Sequence, residues 1–334
     1  MDKSAAHAFV FAKASGMLSK SFVGNRFLSI FQEKKLQDLW KLLFEDEVPL
    51  LPEYLLAQTI EKKAEEVFVS DFTQLLSYYA KPDPVLVQLL QVYEYNNLKL
   101  ISSALMNNKT QMPEIIDLQS FSILDYSKWP DIKKMTENTV FAWYDTIPKV
   151  KELKTRDHAL DVQYIRSLWT SVQRLPAAER APVQAFIKED IVIQNILWAL
   201  RLKYYYGYDA EAIRPFLAGL KDNPDEKDIL AGPAVQILDK EIDSFADWKD
   251  WEYRRFLNRH EPDEIWSIDP KWVAQAAEGY LTKKALKNFR KYPFTAMVLV
   301  CWFKVKQAEV SYVRTAVQAL RLNVSEEELS EYMT

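Results

Sequence analysis

The sequence predicts an all-α protein, and three observations carry that reading. Glycine is scarce: six residues, at positions 16, 24, 207, 219, 232 and 279, with none between Gly24 and Gly207. Phosphate-cradling loops and β-hairpins both use glycine's freedom at positive φ, so this stretch favours helices joined by proline and Asx turns. Apolar residues recur at helical spacing along the chain, and strand-like alternation is confined to short runs such as Val67–Val69. Finally, 49% hydrophobic and 27% charged residues are globular proportions, and ten Trp, 17 Tyr and 17 Phe supply large core-filling side chains.

In chain order, Phe68, Phe72, Leu75 and Tyr79 predict one amphipathic helix. Pro82 and Pro84 break it. Leu86, Leu90, Tyr93, Leu98, Ile101 and Leu105 predict the next. Ile193, Leu197 and Leu200 mark a third, and Val310, Val313, Val317 and Leu320 a fourth. Trp248–Arg259 interleaves basic and aromatic residues, which suggests RNA binding, but Asp250, Glu252 and Glu261 dilute its charge and favour an amphipathic helix.

Three long helical segments resemble one another: 92–109, 188–208 and 306–325. Alignment places Asn97, Asn195 and Tyr312 together. Each is followed by an apolar residue and preceded by acids: Glu94, then Glu189 with Asp190, then Glu309. Thirteen or fourteen residues downstream stand the cap candidates Thr110, Asp209 and Ser325, the last opening a Ser325–Glu328 capping box. The spacing predicts three helical modules, 1–112, 113–224 and 225–334, with boundaries near Met112–Pro113 and in the loop 221–226.

Composition removes several functions. With 43 basic and 47 acidic residues the formal charge is −4, so a broad nucleic-acid or anionic-lipid surface is not expected, although a local basic patch is compatible with it. The one cysteine, Cys301, makes neither an internal disulfide nor a cysteine zinc site. It reads as a buried small hydrophobe in a protein of a reducing compartment. Ala8–Ala12 is stopped by Lys13 too early for a signal peptide, and the run 296–303 is far short of the ~20 residues a membrane span needs. His7, His158 and His260 lack metal-ligand spacing, and Pro262 makes His260–Glu264 a turn. Pro224 disqualifies Asp222–Asp228 as a helical acidic metal motif and leaves a linker. No Walker-type loop or G-x-S-x-G elbow occurs. Catalytic, metal-binding and cofactor-binding residues are therefore not expected.

The repeated segments also carry a family likeness. Glu189–Lys203, with Asn195 and the Ala-Leu-Arg201-Leu-Lys203 run, followed by Gly207–Ile213, resembles the rotor-cap subunit of the central stalk in V/A-type rotary ATPases, a family found in bacteria, archaea and eukaryotes. Tyr93–Tyr95 with Asn97–Lys99, Ala159–Trp169, Tyr292–Phe294 with Lys306, Glu309 and Arg314, and the close Leu322–Leu329 are similar to further family segments. The first helix departs from the family's Tyr- and Arg-rich pattern with Phe9, Phe11, Lys13 and Lys20.

The resemblance implies a funnel of three helical lobes about a pseudo-threefold axis. One end sits on the membrane proteolipid ring at the cytoplasmic face, and the opening receives the central shaft of the ATPase head. It implies a coupling protein that binds no nucleotide. The candidate module or partner-contact residues are Glu94, Asn97, Asp190, Asn195, Arg201, Lys203, Glu309 and Arg314. For Asn97 and Asn195 the residues alone favour amides bonded within their own module over amides facing a shaft. Arg201 and Lys203 suit either a solvated helix end or an acidic partner. A helical-repeat scaffold of another complex is the alternative reading.

Overall fold

The computed structural model describes residues 2–260 and 265–324, and these form helices, turns and loops without a strand. The helices are α1 (Lys3–Lys20), α2 (Leu28–Gln32), α3 (Leu36–Leu43), α4 (Glu53–Ser77), α5 (Pro84–Met106), α6 (Ile132–Thr136), α7 (Val150–Val172), α8 (Ala177–Tyr206), α9 (Ala210–Ile213), α10 (Gly232–Val235), α11 (Phe245–Trp248), α12 (Pro270–Lys291) and α13 (Met297–Leu322). The Ser325–Glu328 capping box, the close of the third segment and most of His260–Glu264 lie outside the described residues.

Local chemistry sets the helix ends. Asp2 caps α1 by accepting the Ala5 N–H at 2.8 Å, and Pro84 opens α5 at a position where its missing N–H costs nothing. The expected cap Asp209 accepts the Ala212 N–H at 2.8 Å at the start of α9. Thr110 does not cap a helix: the chain beyond it is irregular, and its carbonyl accepts the Trp129 indole N–H at 3.2 Å. Where glycine is lacking, left-handed positions fall to Asn108 (φ 54°), Gln119 (54°) and Asn138 (61°). The three long repeated helices end alike, each with a left-handed residue: Asn108, Gly207 and Asn323. In each, the following N–H reaches back into the last turn: Lys109 to Ala104, Tyr208 to Leu202 and Val324 to Ala319.

The chain forms two compact units. The first comprises residues 1–82, 114–123 and 285–334. There α13 packs along α4, with Phe68 and Phe72 against Trp302 and Phe303 at ring-centroid distances of 4.8–5.9 Å. Phe72 and Trp302 are fully buried, and each such ring contributes about 3 kcal/mol by area burial. Leu39, Leu56, Ile60 and Val317 extend the core through α3, α4 and α13. Cys301 is buried here, as expected, and burial pushes its thiol pKa up.

The second unit comprises 83–113 and 124–284. Here α5 packs on α7, and Tyr95 lies edge-on to Phe141 (4.7 Å) and Tyr164 (5.5 Å). The α8 side has its own core, in which Ile196 and Leu200 meet Trp248, Trp251 and Phe256. Trp248–Arg259 is not the amphipathic helix expected. It consists of the end of α11, turns and a short 3₁₀ segment, 254–256. Its spacing explains why: Trp248, Trp251, Tyr253 and Phe256 are all buried, and they enter the core from a turning backbone.

Candidate functional site

All eight candidate residues sit on the three long repeated helices, where burial divides them. Asn195 on α8 is 4% exposed. Its Oδ1 accepts the Ala218 N–H at 2.8 Å, and its Nδ2 donates to the carbonyls of Ala218 and Leu230, both at 3.1 Å. One amide thereby holds two loop strands against the helix and satisfies their buried backbone groups. Those strands are closed by Asp228, a buried carboxylate that accepts N–H groups from Leu220, Lys221, Leu230 and Ala231. The segment 222–228 is thus a built clasp, and Gly219 and Gly232 are needed for it. A Cβ on Gly219 would lie 2.7 Å from Asp228 Oδ2, and one on Gly232 2.3 Å from the Glu226 carbonyl oxygen.

Glu94 on α5 is completely buried. It accepts the Leu124 N–H at 3.4 Å and the Tyr126 hydroxyl, while Asn97 donates to the Tyr126 oxygen at 2.9 Å. On α13 the buried Glu309 accepts the Phe22 N–H at 2.8 Å and pairs with Lys306. The three helices share a device: a polar side chain near the aligned position receives a backbone N–H from an irregular segment. Glu94 and Glu309 stand three residues before Asn97 and Tyr312. On α8 that place is Val192, and Asn195 does the work instead.

The remaining candidates are more open. Lys203, half-buried, donates to the Leu238 carbonyl at 2.6 Å and to that of Lys240. Asp190 is half-buried, and its charge adds to the burial that pushes the Tyr164 phenol up. Its neighbour Glu189 accepts the Tyr280 hydroxyl at 2.8 Å and pairs with Lys284. Arg314 is 48% exposed and bonds Glu65 at 2.9 Å, joining α13 to α4.

Arg201 is exposed on α8 and borders a cavity of about 720 Å3, lined also by Lys99, Val150, Asp157, Trp198 and Phe216. Asn195 reaches the same cavity, so the structure brings together two candidates from the α8 run and Lys99 of the α5 run. Its rim is apolar and open: Val150 is 78% exposed and Trp198 40%. Lys99 pairs with Asp161, and Lys154 lies over the Tyr208 and Phe216 rings. Burial raises the Asp157 carboxyl, against the pull of Lys99, and burial lowers the His158 imidazole. The arrangement is an amphipathic groove with an exposed guanidinium at its edge, suited to holding a protein surface. Sequence reasoning missed Tyr126, Asp228 and Trp198. Tyr126 acts on Glu94, distant in sequence, Asp228 acts through the folding of its own loop, and the aromatic signal of Trp198 is shared with the core.

Among the described residues no helix is long and apolar enough to cross a membrane. A family model described as "ATP synthase (C/AC39) subunit" matches residues 10–332. An uncharacterized protein of Treponema pallidum (strain Nichols) is 27% identical over 321 residues, covering 92% of this chain and 91% of its own length.

Proposed function

The chain belongs to the ATP synthase (C/AC39) subunit family, and from that premise we propose that it joins the central shaft of the ATPase head to the membrane proteolipid ring. Membership makes it a non-catalytic coupling component of a V/A-type ATPase, associated with that complex and active through contacts alone. The observation that carries the reading is the extent of the match, which runs from residue 10 to residue 332.

In this reading the modules 1–112, 113–224 and 225–334 close around a pseudo-threefold axis as a funnel at the cytoplasmic face. The common left-handed ends of the repeated helices and their shared backbone latches support an internal threefold relationship. Burial of Glu94, Asn97, Asn195 and Glu309 supports a duty inside the modules: these side chains keep irregular segments fixed so that load passes through without slack. Asp190 and Lys203 brace the middle module. The exposure of Arg201 and Arg314 supports partner contact, with the Arg201–Trp198 groove receiving an acidic amphipathic element of the shaft.

The test is co-purification of the tagged protein from its native cells in mild detergent. Proteolipid and ATPase head subunits in fixed ratio are expected, with head subunits reduced in the Trp198→Ala/Arg201→Glu variant while the ring is retained. Recovery of unrelated soluble partners from an intact-ATPase extract would refute the reading and favour a scaffold of another complex.

A further inference from the structure

The formal charge of −4 conceals an uneven distribution. Residues 3–32 contain no Asp or Glu and carry Lys3, Lys13, Lys20 and Arg26. Residues 279–308 contain none either and carry seven Lys and Arg. Within the first unit the two stretches meet: Phe11 of α1 stacks on Phe289 of α12 at 5.4 Å and lies edge-on to Phe294 at 5.4 Å.

Beside this contact the last turn of α12 exposes Lys287, Arg290 and Lys291, whose i, i+3, i+4 spacing puts them on one face. No ion pair ties Lys287, Arg290 or Lys291 to a described residue, and Lys291 rests over the Tyr292 ring at 5.1 Å. Phe294 follows at φ 63°, a strained setting for a bulky residue, with 53% of its surface exposed. Complementing the helix dipole accounts for cations in a final turn. It does not account for a half-exposed aromatic side chain on a left-handed backbone, or for a neighbouring helix whose only charges are positive.

We propose that this corner of the first unit, formed by Lys287, Arg290, Lys291 and Phe294, binds anionic phospholipid headgroups. Lysine is depleted from protein–protein interface cores, whereas clustered Lys and Arg beside an exposed aromatic ring suit an anionic bilayer surface. The cations meet lipid phosphates, and Phe294 enters the headgroup layer. The inference rests on the coupling reading only in that it needs a membrane close to the protein.

The experiment is co-sedimentation of the isolated full chain with phosphatidylcholine vesicles, with and without phosphatidylglycerol. Binding is expected only with phosphatidylglycerol, and it should weaken with salt. Each cation removed should cost about fivefold, so Lys287→Ala/Arg290→Ala/Lys291→Ala should cost roughly a hundredfold. Lys109→Ala/Lys133→Ala/Lys249→Ala, which removes the same charge from exposed sites in the second unit, should cost far less. Phe294→Asn, whose side chain tolerates the left-handed backbone, should keep the fold and weaken binding. Equal binding to both vesicles, no binding to either, or equal losses in the two triple variants would overturn the proposal. Because the vesicles contain no ATPase component, such a failure leaves the co-purification test untouched. If the α12 triple variant lost its ATPase partners without any vesicle binding, the surface would be a contact for an acidic protein, and the lipid assignment would fall.

Discussion

Asn195 and Ala218 exchange two hydrogen bonds, the amide oxygen taking the Ala218 N–H at 2.8 Å and the amide nitrogen giving to its carbonyl at 3.1 Å. Asn195→Ala removes both, together with the bond to Leu230, and leaves buried backbone groups without partners. A loss of about 3 kcal/mol is expected in urea unfolding, because each orphaned buried group costs ~1–3 kcal/mol. A change below about 0.5 kcal/mol would mean that water replaces the amide.

Two kinds of glycine should respond with opposite signs. Gly16 lies inside α1 with nothing within 4 Å of a built Cβ, so Gly16→Ala should stabilise by about 0.5–1 kcal/mol. Gly232→Ala drives a methyl to 2.3 Å from the Glu226 carbonyl and should cost more than about 2 kcal/mol as the Asp228 clasp shifts. Thermal midpoints of the two variants, compared with the parent, decide it.

Asp71 gives the first unit a pH signature. Burial raises its carboxyl pKa and Glu309 adds to the rise, while Lys306 and Lys13 oppose it. A carboxyl whose folded-state pKa exceeds its unfolded value near 3.9 holds its proton more tightly in the native protein. Stability therefore falls as pH rises from the unfolded pKa through the raised folded one, and the penalty remains above it. The stability of Asp71→Asn relative to the parent should improve between about pH 3 and pH 7. A difference that stays constant over that range would remove Asp71 as the source.

Cys301 should resist thiol reagents in the native protein. Its sulfur is buried, and burial disfavours the reactive thiolate. Labelling by a disulfide reagent should follow global unfolding in urea. Rapid labelling without denaturant would show that the start of α13 opens locally.

The helices α4, α5, α8 and α13 were legible because their signal is local. Leu86, Leu90, Tyr93, Leu98, Ile101 and Leu105 repeat at helical spacing, and all six are buried on α5. Asp209 was legible as a cap for the same reason. The stretch 214–269 was not. It is held by side chains that bond its backbone from well away in sequence, such as Asn195 to Ala218 and Leu230 and Lys203 to Leu238, and by aromatic residues spaced for neither helix nor strand. The candidate groove was half legible: Asn195 and Arg201 stood out from the repeat, but that Lys99 and Val150 would border the same space depends on how α5, α7 and α8 pack. Average charge hid the basic corner, because whole-chain sums erase a patch that forms only when α1 and α12 meet.

The migration of one duty between Glu94, Asn195 and Glu309 has a bearing on ancestry. If the three helices descend from one duplicated ancestor, what was inherited is a fastening between helix and loop, while the position supplying it moved by a turn. Column-by-column comparison would score that as divergence. Among distant copies of this protein, kinship is therefore better traced by asking which helix side chain takes the loop's N–H than by asking which letter occupies a given site.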